Sequence, residues 1–211
     1  MRALVVYCHP RPESFTAAVR DVVLEKLNTA GAEVRLIDLY DRNFDPILCA
    51  DQHCNYEDLE SDRSAIAPDI ADVAWCDTLI FVYPTWWYGM PAMLKGWLDR
   101  VLLPGVAFTM PSKDGEGIGR GLTHITQLGV FTTCGASWWI TRIIGAPGKR
   151  TLLRGVRFLC AKTCRTTFAA HYLMDSSTPE SRARHLEKVA KRVNRMTRSI
   201  KRARTTVEAP A

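Results

Sequence analysis

The stretch that most constrains the fold of this chain runs from Thr78 to Leu103. It opens with a continuous apolar run, Leu79–Tyr83, which is typical of a strand buried on both faces of a parallel sheet. The run stops at Pro84, and Thr, Trp, Trp and Tyr follow at residues 85–88. From Ala92 the apolar residues recur at helical spacing: Met93, Leu94, Trp97, Leu98, Val101 and Leu102. The pattern predicts a buried strand, an aromatic loop and a helix, and ligands of open α/β sheets bind beside such loops.

The aromatic loop has two interpretations. Trp86, Trp87 and Tyr88 could cover the core or contact a second copy of the chain. They could instead form a platform for a flat ring, because aromatic side chains offer a large stacking area.

A second apolar run, Ala3–Tyr7, predicts the first central strand. It is followed by HPRPESFT and then by a helix, for which Ser14 is a good N-cap. The free N–H groups at the start of a helix favour an anion, although a capped helix needs no ligand. Because neither G-x-G-x-x-G nor a P-loop follows the strand, a Rossmann dinucleotide domain and an NTPase are disfavoured.

The remaining segments predict further elements of one α/β domain. We expect strands at Glu33–Leu39, at Leu122–Phe131 and from Val156 to Leu159, the last with a return through His171 and Tyr172. Residues 41–68 are expected to be a surface excursion before a short helix through Ile70, Val73 and Trp75, and residues 108–121 a glycine-rich lid or hairpin. A terminal helix begins at Thr178–Glu180, with the apolar stripe Leu186, Val189, Val193, Met196 and Ile200.

Composition restricts the class of protein. A length of 211 residues suits one domain, and no apolar run is long enough to span a bilayer or to act as a signal peptide. The seven cysteines form neither a disulfide framework nor a zinc-like ligand set, so we expect a cytoplasmic protein without a structural metal. Residues 182–211 hold ten Lys and Arg against two acids, so the rest of the chain is slightly acidic. We expect a solvated basic helix that contacts anionic surfaces weakly, with no nucleic-acid partner.

Two motifs carry a resemblance to a known family. The pattern P-x-x-W-Y-G-M-P-A-M-L-K-G-W-L-D-R-V at residues 84–101 and HPRPESF at residues 9–15 resemble segments of the NAD(P)H:quinone oxidoreductase family of DT-diaphorase-like flavoproteins. The resemblance implies a flavodoxin-like fold: a doubly wound parallel sheet with helices on both faces, in a single domain. It implies a flavin-binding unit over residues 1–175, with residues 176–211 as a basic helix and tail of the same domain.

The resemblance also implies a site. The flavin phosphate would be held by His9, Ser14, Phe15 and Thr16. The ring would be lined by Pro84, Thr85, Trp86, Trp87 and Tyr88, of which Trp87 and Tyr88 would be the catalytic contacts. The polar edge of the ring would meet Thr132, Thr133 and Gly135.

The implied function is ping-pong, two-electron reduction of a quinone or a related acceptor by NADH or NADPH. FMN is the expected flavin, with FAD as the alternative. The alternative function is a flavin-binding regulatory subunit of a partner such as a potassium-efflux system.

The chain departs from the family pattern at two places. Cys134 stands where the family has the first glycine of T-T-G-G, and this would strain the backbone if that position needs a positive φ. Trp138 and Trp139 lie where members of the family often have a tyrosine. His171 is a weaker candidate for the site.

We also expect a homodimer with a shared active site, in which Trp97 and Phe108 are buried by the partner.

Overall fold

The computed structural model describes residues 1–111 and 117–198. Its strands are β1 (Arg2–Tyr7), β2 (Glu33–Asp38), β3 (Thr78–Thr85), β4 (Phe108–Thr109), β5 (Gly119–Arg120), β6 (Gln127–Cys134) and β7 (Arg165–His171). Its helices are α1 (Phe15–Thr29), α2 (Ala50–Cys54), α3 (Ala67–Trp75), α4 (Ala92–Val101), α5 (Trp138–Ile143), α6 (Pro147–Arg150), α7 (Arg157–Leu159) and α8 (Pro179–Met196). Short 3₁₀ turns lie at Ser64–Ile66 and Met174–Ser176, and Thr151–Val156 is π-helical.

Five parallel strands form the main sheet in the order β2-β1-β3-β6-β7. The order reverses between β1 and β3, so the loops that follow these two strands flank the switch point where α/β proteins bind ligands. The predicted flavodoxin-like, doubly wound sheet is confirmed, and β2 lies at the edge as expected.

Helices cover both faces because side chains along each strand alternate between two apolar clusters. Leu4 and Val6 pack on one face in a cluster with Trp97 of α4. Val5 packs on the other face with Val23 of α1, in a cluster that includes α8. The stripe predicted for α8 packs there through Leu186, Val189, Val193 and Met196, whereas Ile200 lies outside the described residues.

A buried carboxylate holds the excursion at residues 41–68 against α3 and α4. Asp69 of α3 is fully buried, and its oxygens accept hydrogen bonds from Arg42 at 2.8 and 3.1 Å and from the indole N–H of Trp97 at 2.8 Å. Gly96 is required where α4 meets the same excursion, since a Cβ there would collide with the carbonyl oxygen of Pro46. The expected exposure of Trp97 on a dimer face is therefore wrong: its side chain is fully buried within its own subunit.

Phe108 also differs from the expectation. It lies in β4, which pairs with β5 in an antiparallel hairpin, and it packs against the core instead of lacking one. The hairpin predicted for residues 108–121 is confirmed in its described part, and residues 112–116 lie outside the described residues.

Two predicted strands are wrong in position. Val156–Leu159 is helical, because Leu152 and Val156 bury one face of a helical segment; the last strand is β7, which starts at Arg165. The strand expected at Leu122–Phe131 begins at Gln127 and continues to Cys134, while Leu122 forms only an isolated bridge with Cys160. Thr132 to Cys134 are thus strand residues, and Cys134 has no positive φ, so the strain considered for it is absent.

Candidate functional site

The loop between β1 and α1 presents hydrogen-bond donors at a helix N-terminus. Ser14 is the N-cap of α1, and its hydroxyl oxygen accepts from the N–H of Ala17 at 3.1 Å. The Nδ1 atom of His9 lies 3.0 Å from the backbone nitrogen of Arg11 and 3.2 Å from its carbonyl oxygen. In the tautomer in which Nδ1 accepts from the N–H, the ring proton is on Nε2. Burial lowers the pKa of His9, so the neutral ring is favoured and offers one N–H donor. The loop therefore combines an imidazole donor with the positive end of a helix dipole.

The loop after β3 is a two-residue turn in an unusual conformation. Trp86 and Gly89 bridge, with the N–H of Gly89 donating to the carbonyl oxygen of Trp86 at 3.0 Å. Between them Trp87 and Tyr88 have φ values of 49° and 61°. Two left-handed residues are what a type I′ turn requires, and asparagine and glycine are the usual occupants. Left-handed φ costs an L-residue roughly 1–2 kcal/mol. Because Trp87 is 95% exposed, its own burial does not offset this strain.

The end of β6 closes the site from the other side. The hydroxyl groups of Thr133 and Thr16 lie 3.0 Å apart and join β6 to the first turn of α1. Cys134 is buried behind them, and Gly135 faces Asp175, because a Cβ on Gly135 would lie 3.0 Å from a carboxylate oxygen of Asp175. A larger residue than glycine at position 135 would meet this carboxylate.

These three segments enclose one cavity of about 1020 Å³. The predicted site residues that line it are His9, Ser14, Phe15, Thr16, Pro84, Thr85, Trp86, Trp87, Tyr88, Thr133 and Gly135. Thr132 is the exception, because it does not line this cavity. Its side chain lies on the opposite face of β6 from Thr133, with its hydroxyl oxygen 2.8 Å from that of Thr85.

Sequence reasoning missed eight residues that line the same cavity: Arg11, Glu13, Cys134, Ala136, Ile140, Met174, Asp175 and Arg182. Arg11 and Glu13 stand inside the HPRPESF motif, so their position in the motif is a usable signal. Met174, Asp175 and Arg182 come from the segment after β7 and from α8, and no local pattern links them to the site. They place one cation and one carboxylate at its rim.

A buried pair of histidines lies behind Phe15. The ring of His171 is 5.4 Å from that of Phe15, and the ring of His185 is 5.1 Å from that of His171, measured between centroids. Nδ1 of His171 and Nε2 of His185 are buried without a hydrogen-bond partner among the described residues. Burial lowers the pKa of both rings, that of His185 to about 4. His171 therefore supports a cavity residue from behind and does not itself line the cavity.

Two further observations concern metals and membranes. Within the described ranges, no group of three His, Cys, Asp or Glu side chains is arranged to hold a metal ion. Among residues 1–111 and 117–198, no helix has both the length and the apolar content needed to cross a bilayer.

The chain is similar in sequence to a family model and to several known proteins. A family model described as flavodoxin-like fold matches residues 1–196. The chain is 34% identical over 136 residues to the ribosyldihydronicotinamide dehydrogenase [quinone] of Pongo abelii, a match that covers 57% of this chain and 59% of that protein. It is 34% identical over 108 residues to the uncharacterized NAD(P)H oxidoreductase YcaK of Escherichia coli (strain K12), covering 51% of this chain and 55% of that protein. These matches span between half and three-fifths of the relatives' own length.

The solved structures include a similar one from Streptococcus mutans UA159. This protein, Smu.1420, superposes with a TM-score of 0.80 at 26% identity, over 92% of this chain and 100% of the other. The agreement extends the similarity beyond the segments matched in sequence.

Proposed function

The chain belongs to the family with the flavodoxin-like fold, and on that basis we propose that it is a flavin-dependent oxidoreductase. It would transfer two electrons from NADH or NADPH to a quinone or a related acceptor. The relatives described above are named as a dehydrogenase acting on quinones and as an NAD(P)H oxidoreductase, which supports this class of reaction. Their names do not support the alternative of a regulatory subunit.

The observation that carries the proposal is a single cavity that joins a helix N-terminus to a strained aromatic turn. A flavin mononucleotide has a phosphate at one end and a flat ring at the other. The free N–H groups at the start of α1, the hydroxyl of Thr16 and the ring N–H of His9 suit the phosphate. The turn at Trp87 and Tyr88 suits the ring, so the residues present fit the cofactor at both ends.

Each group in the site has a physical task in this proposal. Ser14 fixes the start of α1, so that the helix dipole is directed at the phosphate. The hydrogen-bonded pair Thr16 and Thr133 keeps the phosphate end and the ring end at a fixed separation. The backbone at Thr133, Cys134 and Gly135 would supply donors to the polar edge of the ring, where negative charge gathers on reduction. Hydride chemistry itself would be supplied by the bound flavin.

Trp87 and Tyr88 would be the catalytic contacts. Both line the cavity, and the exposure of Trp87 places it at the open rim, where a planar substrate enters. One planar guest at a time would stack there, so the nicotinamide leaves before the acceptor binds, and turnover would be ping-pong. Parallel double-reciprocal lines are the expected kinetic pattern.

The first test is the visible spectrum of the purified protein. We expect a yellow protein whose absorbance is bleached by NADH or NADPH without oxygen and restored by a soluble benzoquinone. Chromatography of the flavin released by heat separates FMN, which we expect, from FAD. A colourless protein that takes up neither flavin on reconstitution would refute the proposal.

We further propose a homodimer in the cytoplasm. Seven free cysteines, five of them buried, suit a reducing compartment. Exposed apolar side chains near the cavity mouth support a second subunit there. We also propose that residues 1–175 form the flavin-binding unit and residues 176–211 complete the same domain. Residues of α8 pack in the same apolar cluster as residues of α1, which supports placing residues 176–211 in the same domain as residues 1–175.

A further inference from the structure

A second, smaller cavity lies between α5, α6 and the π-helical segment. We call it the basic cavity; its volume is about 160 Å³. Four of its lining residues are cationic: Arg142, Lys149, Arg150 and Arg154. None of its lining residues is an Asp or a Glu. A concave surface lined by one sign of charge concentrates the opposite charge.

The cations of the basic cavity have no acidic partners among residues 1–111 and 117–198. In the part of the chain that the structure describes, none of the four takes part in an ion pair. Cations on other elements do form such pairs, for example Arg35 with Asp72 at 2.7 Å and Lys95 with Asp99 at 2.6 Å. Four like charges held together repel one another, and a bound anion would relieve that repulsion.

The backbone brings these cations together through a strained turn. Gly145 and Ala146, which follow α5, have φ values of 93° and 48°. A Cβ on Gly145 would lie 3.0 Å from a terminal nitrogen of Arg150, so the guanidinium group of Arg150 packs over the glycine. The π-helical segment Thr151–Val156 then carries Arg154 to the same cavity. Left-handed non-glycine residues and π-helical segments both concentrate at functional sites.

The basic cavity lies next to the site described above. A narrow cavity of about 20 Å³ is lined by Tyr88 and Cys134, which also line the large cavity. It is lined as well by Lys149 and Tyr172, which belong to the basic cavity. The N–H of Gly148 donates to the carbonyl oxygen of Tyr88 at 3.5 Å, so α6 lies directly against the aromatic turn. The two cavities are therefore neighbours on either side of the aromatic turn and α6, within reach of the two ends of one extended ligand.

The size and the donors of the basic cavity define its ligand. Its volume is below the roughly 300 Å³ at which whole small-molecule sites begin, so it would take only one end of a ligand. Arginine forks match the oxygens of phosphate in pairs, and Trp138 adds an aromatic wall. We propose that the basic cavity binds phosphate groups of the nicotinamide dinucleotide whose ring enters the large cavity. This inference rests on the proposed function, and it assigns the electron donor as a phosphate-bearing dinucleotide.

A binding measurement tests the inference without relying on turnover. The probe is adenosine 2′,5′-bisphosphate, titrated calorimetrically into the purified full-length protein. We expect binding that weakens with added salt, and a loss of affinity of about tenfold or more in the double variant Arg150→Gln/Arg154→Gln. The matched control is Arg184→Gln/Arg195→Gln on α8, which removes the same charge from residues outside both cavities. The control should change affinity by less than about twofold.

Kinetics then identify which phosphate is bound. The double variant should raise the KM for NADPH about tenfold and leave the KM for reduced nicotinamide riboside, which has no phosphate, unchanged. If the double variant has an unchanged KM for NADH, the basic cavity binds the 2′-phosphate, which only NADPH carries. If its KM for NADH is also raised, the basic cavity binds the pyrophosphate, which both dinucleotides carry. The inference is overturned if the wild type does not bind the probe, if the control pair loses as much affinity, or if the riboside is affected equally. A protein that binds the probe in this way but lacks flavin would contradict only the proposed function.

Discussion

Ser14 has a structural role and a proposed binding role, and a single substitution separates them. Aspartate is as good an N-cap as serine, so Ser14→Asp should keep α1 and the fold intact. Its carboxylate would stand beside the proposed dianionic phosphate, where only donors are favourable. We therefore expect flavin affinity to fall by about a hundredfold or more, which corresponds to roughly 3 kcal/mol.

Ser14→Asn is the matched control, because it caps the helix without adding charge. Fluorescence titration of the unloaded variants with FMN measures the affinities, and circular dichroism checks the fold. Wild-type affinity in Ser14→Asp would mean that the loop is only a capped helix.

His185 gives the protein a predictable sensitivity to acid. Burial, with a smaller effect of His171 and Lys188, lowers its pKa to about 4, whereas an unfolded histidine titrates near 6.5. Between these values the unfolded chain binds a proton that the folded protein does not, so stability falls as pH decreases from 6.5 to 4. The loss from His185 alone should be about 2 kcal/mol by pH 5.

Urea denaturation at pH 7.5 and at pH 5 measures this effect. In His185→Leu the drop between the two pH values should be smaller than in wild type by about 2 kcal/mol. The exposed His53, replaced by Gln, should leave the wild-type drop unchanged. An equal drop in His185→Leu would show that the folded protein binds a proton at this ring as readily as the unfolded chain does.

At the scale of the element, the turn between β3 and α4 places two aromatic rings at the cavity, and its left-handed backbone lowers the stability of the fold. Trp87→Gly should raise the free energy of unfolding by roughly 0.5–1 kcal/mol, because glycine adopts left-handed φ without strain and the exposed indole loses little burial. The same change should reduce turnover with quinones, since the proposed stacking contact is gone. An increased urea midpoint at unchanged slope would establish the gain.

Phe158→Gly is the matched control for the turn. Phe158 is also exposed, at 55%, but it lies in the right-handed backbone of α7. Glycine there should lower stability by about 1 kcal/mol, the opposite sign. If both substitutions destabilise equally, the turn is not strained.

The sequence was sufficient to predict the strand, turn and helix of residues 78–103 and the capped helix at Ser14, because each depends on local pattern. Eleven of the twelve predicted site residues line one cavity, because they lie at or just after the carboxyl ends of three strands, β1, β3 and β6, that are neighbours in the sheet. Thr132 does not line this cavity, because the strand continues to Cys134 and neighbouring residues alternate between its faces. Arg182 could not be found, since its position depends on how α8 packs across α1.

Trp97 shows the limit of helical periodicity. The spacing placed it on the apolar face of α4, but periodicity does not say whether that face meets the sheet or a partner. The decisive contact is its hydrogen bond to the buried Asp69, which is 28 residues away along the chain. Similarly, Val156–Leu159 is too short for its period to distinguish a strand from a helix.

For the molecule as a whole, the expected dimer no longer rests on Trp97. The observation that supports it is the exposed apolar surface at the cavity mouth. On α5 the side chains of Trp139 and Ile143 are 67% and 81% exposed, and Ile140 of the same helix lines the large cavity. Soluble monomers rarely leave such a contiguous patch uncovered. A second copy seated on α5 would bury this patch and close one side of the cavity.

Sedimentation equilibrium at low micromolar concentration, with flavin present, tests this arrangement. We expect a dimer for the wild type and a shift to monomer in Ile143→Asp, because an aspartate at the centre of an apolar interface would be buried without a partner. Leu36→Asp is the control: Leu36 is also exposed, but it lies in β2, at the edge of the sheet opposite β7, and should leave the dimer intact. Activity of Ile143→Asp should fall together with the dimer fraction if the second copy completes the site. A wild-type monomer that turns over at full rate under these conditions would refute the shared site and leave the flavin proposal standing.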